Sequence, residues 1–284
     1  MCLTTASDAT AESVRLCRWA RVCVSGYGAW HLQTNGEQRL KLHTREWGSG
    51  DRVAVLVHGM MGESRQFWEV GLALADRGFR AIAVDLPGHG HSGPCLSGGL
   101  GAYAGLLVES VPSKPALALG HSLGAMVVAA ALPRLQPSRV VYVDVSFQAL
   151  DADGQRQDAA ALTAVFEESK AGRTAARLAE TRPWWKSGDC EVEEEAARLF
   201  DVPTAVALEL ATDGQAITAP STSVPSLLIH ADPSAFVSSE RIAELHGLGF
   251  EVRGVEGAGH SVWYGFFDEF MVALGDWLSE HPTH

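Results

Sequence analysis

The nine residues Ala118-Leu119-Gly120-His121-Ser122-Leu123-Gly124-Ala125-Met126 constrain this chain more than any others. An apolar run, Pro115 to Leu119, enters Gly-His-Ser-Leu-Gly, and a run of small residues, Ala125 to Leu132, leaves it. The first run reads as a strand and the second as a helix, so Ser122 falls on the turn between them. Glycines at 120 and 124 free the backbone to bend sharply and let the helix pack close to the sheet. A serine there is raised above the sheet, before a helix N-terminus whose N–H groups and dipole favour an anion. G-x-S-x-G in a strand–turn–helix context is the pattern of a nucleophile elbow. On its own the pattern also fits an ordinary turn with a solvated serine, so its neighbours decide.

The rest of the chain supplies an alternating frame. Ala29–Thr34 and Glu37–Thr44 flank Asn35-Gly36, a hairpin signal. Arg52–Val57 reads as a strand, Ser64–Arg77 as an amphipathic helix capped by Ser64, and Arg80–Val84 as the next strand. The turn-rich loop Asp85-Leu86-Pro87-Gly88-His89-Gly90-His91-Ser92-Gly93 and a helix over Gly99–Val111 precede the elbow, and Arg139–Val145 is a strand after it. Strands that are apolar throughout and separated by helices indicate a parallel sheet buried on both faces. From about Leu150 to Pro220 the rhythm changes to charged helices around Arg182-Pro183-Trp184-Trp185, then strands return at Ser226–His230 and Phe250–Val255 with helices Ser238–Leu248 and Tyr264–Leu278. The expected organisation is an extension over 1–28, a core over 29–149 and 221–284, and a helical insertion over 150–220. Charge runs are usually plain solvated faces, but paired tryptophans suit an insertion with an apolar underside over a pocket. Trp184 and Trp185 are therefore candidate pocket residues.

Composition narrows the partners. A formal charge of −12 argues against nucleic acid or an anionic membrane surface. The five cysteines are scattered, with no C-x-x-C and no histidine at metal-ligand spacing, which implies reduced thiols in a cytoplasmic protein and no metal. No apolar run approaches the roughly 18 residues of a membrane span, and Arg15, Arg18 and Arg21 interrupt the apolar N-terminus too often for a signal peptide. No cofactor is expected. The oligomeric state is not legible.

A serine hydroxyl needs a general base to become a nucleophile, usually a histidine oriented by a third group. His260, in Gly257-Ala258-Gly259-His260-Ser261, follows the last strand and so lies at the carboxyl edge where the serine projects. His58 and His121 are near that edge too, but His58 begins another turn and the His121 side chain should diverge from Ser122. The oxyanion of a tetrahedral intermediate needs donors: the Leu123 N–H directly after the serine, and the Met60 N–H in His58-Gly59-Met60-Met61-Gly62. Met61 and Met126 add adaptable apolar surface to a pocket, although methionine is also ordinary core filler.

With these residues in hand the chain resembles the α/β-hydrolase superfamily, in its lid-bearing, serine-nucleophile branch, over roughly Arg39 to Leu278. The resemblance rests on four motifs in the family's order: His58-Gly59, Asp85 to Ser92, Gly120-His121-Ser122-Leu123-Gly124 and Gly257-Ala258-Gly259-His260. It implies a mostly parallel central sheet with helices on both faces, Ser122 as nucleophile, His260 as base, and Met60 with Leu123 as the oxyanion hole. The Asp85–Ser92 loop is a structural signature in such proteins. The triad acid departs from the pattern. Most relatives place it after the strand that here ends at His230, in a G-x-x-D arrangement, but this chain has Ala231-Asp232-Pro233-Ser234 with Ser234 in the acid's position. The alternatives are Asp232 in the same loop and Asp144 at the end of Val140–Val143, where some branches carry their acid; Asp144 is narrowly preferred.

Serine rather than aspartate at position 122 points away from the alkyl-enzyme chemistry of dehalogenases and epoxide hydrolases. The expected activity is hydrolysis of a small carboxylic ester, thioester or lactone through an acyl-enzyme. C–C bond hydrolysis and cofactor-free perhydrolysis use the same triad, and an incomplete triad would leave a non-catalytic ligand-binding relative.

Overall fold

The computed structural model describes residues 41–147, 158–212 and 219–282. Seven strands form one sheet: β1 (Thr44–Trp47), β2 (Arg52–Val57), β3 (Phe79–Val84), β4 (Leu117–His121), β5 (Val140–Val143), β6 (Ser226–Asp232) and β7 (Glu251–Glu256). Their spatial order is β1-β3-β2-β4-β5-β6-β7. β1 pairs antiparallel with β3 at one edge, and every other pair is parallel. The expected parallel sheet is thus present with one antiparallel edge strand.

Alternation along each strand divides the core in two. Val55, Val57, Ile82, Val84, Ala118, Val140, Tyr142 and Leu228 turn to one face. That face is covered by α2 (Leu100–Ser110), α3 (Leu123–Leu135) and α8 (Ser239–Gly247), which contribute Tyr103, Leu107, Val127, Val128 and Leu245. Ala54, Leu56, Ala81, Ala83, Leu119, Val141, Val143 and Ile229 turn to the other face. There α1 (Trp68–Asp76) and α9 (Phe267–Glu280) bring Val70, Leu74, Phe270, Leu274 and Trp277. Burial on both faces is why these strands read as continuous apolar runs rather than alternating ones.

Between β5 and β6 the chain forms α4 (Ala159–Gly172), α5 (Ala175–Thr181), α6 (Ser187–Leu199) and α7 (Val202–Thr212). Side-chain caps start two of them: Asp158 accepts from the Ala161 N–H at 3.2 Å and Thr174 from the Arg177 N–H at 3.3 Å. Leu162, Phe166, Ala197, Phe200, Val202 and Ala205 close a third apolar cluster around Met61, which docks these helices on the loop after β2.

Three expectations change. Ser64 does not cap the first helix: a short 3-10 turn, Ser64–Phe67, precedes α1, and the Ser64 N–H is taken by the Asp85 carboxylate at 2.6 Å. That buried acceptor does for the helix start what the serine hydroxyl was expected to do. The last helix begins at Phe267 rather than Tyr264, because Trp263 and Tyr264 are buried in the turn before it. Of the expected strand Glu37–Thr44 only 41–44 are described, and the strand there is Thr44–Trp47, in register with Val84 to Ala81. The 1–28 extension and the Asn35-Gly36 turn lie outside the described residues.

The Asp85–Ser92 loop is built around one fully buried carboxylate. Besides the Ser64 N–H, Asp85 accepts from the His91 N–H at 2.9 Å and from His43 Nδ1 at 2.8 Å. The Ser92 hydroxyl donates to the Asp85 carbonyl at 2.6 Å and accepts the His43 N–H at 2.8 Å. Asp85→Ala leaves three donors without their acceptor, and unmade buried hydrogen bonds cost about 1–3 kcal/mol each. A loss of about 3 kcal/mol or more is expected in urea unfolding; a change below about 1 kcal/mol would show that water replaces the carboxylate freely.

Candidate active site

Ser122 follows β4 with φ 51° and ψ −116°. A non-glycine residue in this region is strained, and such strain persists only where the surroundings enforce it. The Ser122 N–H donates to the Val143 carbonyl at 3.0 Å, and its own carbonyl accepts the Ala125 N–H at 3.0 Å, which starts α3. The flanking glycines are sterically required. A Cβ on Gly120 would lie 2.5 Å from the Gly124 carbonyl oxygen, and one on Gly124 would lie 2.2 Å from that of Val57. Both clashes are with backbone, so no side-chain movement relieves them. Leu123 is the first residue of α3, so its N–H has no intrahelical acceptor.

The loop after β2 lies against the serine. A Cβ on Gly59 would come within 2.9 Å of His121 Nδ1 and 3.1 Å of Ser122 Cβ. The Gly62 N–H closes this loop on the Gly59 carbonyl at 3.1 Å, and Met61 takes φ 60° within it. His58 fixes the loop from below. Its Nε2 accepts the Leu86 N–H at 2.9 Å, so Nδ1 carries the proton and donates to the Gly59 carbonyl at 2.7 Å. Burial is the main influence lowering the His58 pKa, which keeps this neutral tautomer in place. Met60 is partly buried and touches both the sheet-face core and the cluster of the inserted helices.

His260 stands in the loop after β7, and its Nδ1 meets Asp144 Oδ2 at 2.7 Å. Asp144 directly follows β5 with φ 47° and its side chain is fully buried. The other carboxylate oxygen, Oδ1, accepts the Ala231 N–H at 3.1 Å and the Ser234 hydroxyl at 2.8 Å. Asp232 is exposed, precedes a cis peptide bond to Pro233, and makes no described side-chain hydrogen bond to His260. The structure therefore brings Asp144, not Asp232, to the histidine.

Two further groups, His121 and Phe236, touch His260, and neither contact was expected from the sequence. His121 Nε2 donates to the His260 carbonyl at 2.9 Å, which leaves Nδ1 unprotonated, buried and without a hydrogen-bond partner among the described residues. Burial first, and then proximity to His260, holds the His121 pKa well below the usual histidine range, so it stays neutral. Trp263 sets its ring edge-on to His121 with centroids 5.1 Å apart. Phe236 stacks face to face on His260, 3.9 Å between centroids and 22° between planes. Ser234 carried an advance signal of another kind, because it occupies the position where an acid was expected.

Met61 and Met126 are both buried, at 1% and 4% exposure, the first among the inserted helices and the second in the sheet-face core. The tryptophan pair meets the turn after His260: Trp185 packs on Tyr264 at 4.7 Å, and Trp184 lies against Gly265 while remaining 44% exposed. Arg182 lies over the Trp185 ring at 5.1 Å. Beside them is an ion pair whose carboxylate is buried and whose arginine is part-buried. Arg173 donates to Glu193 at 2.9 Å and reaches the Met61 carbonyl at 3.4 Å; Glu193 also accepts from the Gln66 side-chain amide. Burial and then the Glu193 carboxylate push the Tyr264 hydroxyl well above the ordinary tyrosine range, keeping it neutral. Among the described residues one group has metal-ligand proximity, Glu251, Glu280 and His281. Its members are already engaged with Trp277, with Arg253 and with each other.

Breaking a buried pair on one side strands the other charge, at a cost of about 3–5 kcal/mol. Arg173→Met should therefore lower stability by about that amount in urea unfolding, and adding Glu193→Gln should recover part of it. Equal losses in the single and double variants would show that Glu193 does not depend on Arg173.

Comparison with known proteins now bears on this geometry. A family model described as the alpha/beta hydrolase family matches residues 54–272. A pimeloyl-[acyl-carrier protein] methyl ester esterase of Methylococcus capsulatus is 44% identical over 94 residues, 33% of this chain and 35% of that one. A 2-succinyl-6-hydroxy-2,4-cyclohexadiene-1-carboxylate synthase of Escherichia coli is 38% identical over 76 residues, 26% of this chain and 29% of the relative. The match thus spans about a third of the length of these curated relatives. Among solved structures, an E-2-(acetamidomethylene)succinate hydrolase aligns with a TM-score of 0.64 at 22% identity, over 85% of this chain and 96% of the other. A thermophilic esterase from Thermogutta terrifontis aligns at 0.64 and 20% identity, over 85% and 94%.

Proposed function

The chain belongs to the alpha/beta hydrolase family, and we propose that it is a serine hydrolase that cleaves a small carboxylic ester, thioester or lactone through an acyl-enzyme on Ser122. The observation that carries this reading is the 2.7 Å bond from His260 to the buried Asp144. It commits Nδ1 as the donor to the carboxylate and leaves Nε2 as the lone pair that takes the Ser122 proton. In the proposed reaction Ser122 Oγ attacks the acyl carbonyl as its proton passes to His260. The resulting oxyanion is received by the N–H groups of Leu123 and Met60, with the N-terminus of α3 behind them. Collapse transfers the proton from His260 to the leaving oxygen or sulfur and leaves the acyl ester. A water then attacks, giving its proton to His260, and the acid departs as Ser122 recovers its hydrogen.

The inserted helices are proposed as a lid. Met60 supports this, since its side chain bridges the sheet-face core and the helix cluster beside the proposed oxyanion hole. The esterase and synthase names of the partial relatives agree with acyl or related carbonyl chemistry. The third group of the triad, in doubt from sequence, has a candidate in bonding distance of the base. That favours catalysis over a purely ligand-binding role.

A fluorophosphonate probe should label the protein, and Ser122→Ala should abolish labelling; a wild type that does not label would refute the acyl-enzyme reading. Asp144→Asn should lower kcat about 10⁴-fold on any ester turned over, as expected when the histidine loses its orienting carboxylate. Asp232→Asn, a change at an exposed residue with no described bond to His260, should stay within about twofold. A large loss in Asp232→Asn with none in Asp144→Asn would reverse the assignment. A panel of esters, thioesters and lactones of graded chain length, run beside Ser122→Ala, identifies the substrate class.

A further inference from the structure

We infer that Ser234 is a positioning residue that sets the orientation of Asp144 and, through the same hydroxyl, the seat of Phe236 on His260. The inference rests on the acyl-enzyme reading above and names a residue outside the triad on which that site depends.

The hydroxyl of Ser234 is fully committed. It accepts the N–H of Phe236 at 2.9 Å and that of Val237 at 3.0 Å. A serine oxygen has two acceptor positions and one donor. Backbone N–H groups can only donate, so with both lone pairs filled the hydroxyl proton has one remaining direction. It points to Asp144 Oδ1, 2.8 Å away. Ser234 is therefore held as a one-way donor to the carboxylate.

On the aspartate the division of labour is equally defined. Oδ1 takes Ser234 and the Ala231 N–H, while Oδ2 takes His260 Nδ1. Two donors on one oxygen fix the rotation of the carboxylate group, which aims the other oxygen at the imidazole. One donor, Ala231, lies at the end of β6 and the other, Ser234, just after it, so the strand neighbouring β5 supplies the orientation. The two N–H groups that Ser234 receives belong to the turn that presents Phe236, whose ring lies parallel to His260 at 3.9 Å. One hydroxyl thus links the acid to the apolar plate that covers the base. Removing it takes a donor from Asp144 and the acceptor from two backbone N–H groups in a part-buried turn.

A double-mutant cycle tests this with a readout that requires no known substrate: the second-order rate at which a fluorophosphonate labels Ser122. Ser234→Ala should slow labelling by about 10- to 100-fold, the scale at which removal of an orienting partner acts on a neighbouring functional group. Ser234→Thr, which keeps the hydroxyl, should recover most of that loss. In an Asp144→Asn background, where the orientation no longer serves a carboxylate, Ser234→Ala should change the rate by less than about twofold, since residues that act through one another are not additive. Melting curves establish that each variant is folded, and Ser234→Cys, with its weak S–H donor, replaces the alanine in the cycle if that variant does not fold.

An unchanged rate in Ser234→Ala, a threonine variant as slow as the alanine, or the same fold-loss in both backgrounds would each overturn the role given to Ser234. These outcomes differ from failure of the underlying reading, which would appear as a wild type that does not label or as Asp144→Asn labelling at the wild-type rate.

Discussion

A carboxylate withdrawn from water must be met by hydrogen-bond donors, and Asp144 is fully buried at the end of a central strand. Its donors are the Ala231 N–H at the end of β6, the Ser234 hydroxyl in the loop after it and His260 Nδ1 in the loop after β7, all distant in sequence from β5. This one requirement ties the carboxyl ends of β5, β6 and β7 together. It also explains why a histidine 116 positions away in sequence adopts a single orientation beside the elbow. The strained backbone of Ser122 belongs to the same arrangement, because its N–H is held by Val143, the residue before Asp144.

Two other buried carboxylates support the loops around the site. Asp85 collects donors from three segments and sets the path of the chain beneath the Gly59–Gly62 loop, whose neighbour His58 accepts from Leu86. Glu193, on α6, takes Arg173 from the segment between α4 and α5 and Gln66 from the turn before α1. The apolar clusters provide non-directional burial, and these carboxylates add direction to it. Each one joins elements that hydrophobic packing alone would leave free to slide.

Much of this was legible in the sequence because the physics is local. Strands buried on both faces announce themselves as continuous apolar runs, and β2 to β6 appear within a few residues of where those runs fall. The elbow is legible because only glycine fits at 120 and 124, where any Cβ meets backbone. What stayed open was non-local. On a page of letters Asp144 is only narrowly preferred to Asp232; the folded chain separates them, with Asp144 buried against His260 and Asp232 exposed at the end of β6. The Ser64 cap failed for a similar reason, since a stronger acceptor arrives from Asp85, 21 residues away. His121 was expected only to point away from the serine; that its Nε2 holds the loop of the base is a contact that no spacing rule encodes.

The central claim is that the proton on His260 Nδ1 lies in a hydrogen bond to Asp144. Proton NMR of the free protein reads that bond without a substrate, as a far-downfield imidazole N–H resonance coupled to nitrogen in a histidine-labelled sample. The resonance is predicted in the wild type and in Asp232→Asn, and should be lost or moved strongly upfield in Asp144→Asn. A resonance unchanged in Asp144→Asn but lost in Asp232→Asn would contradict the account.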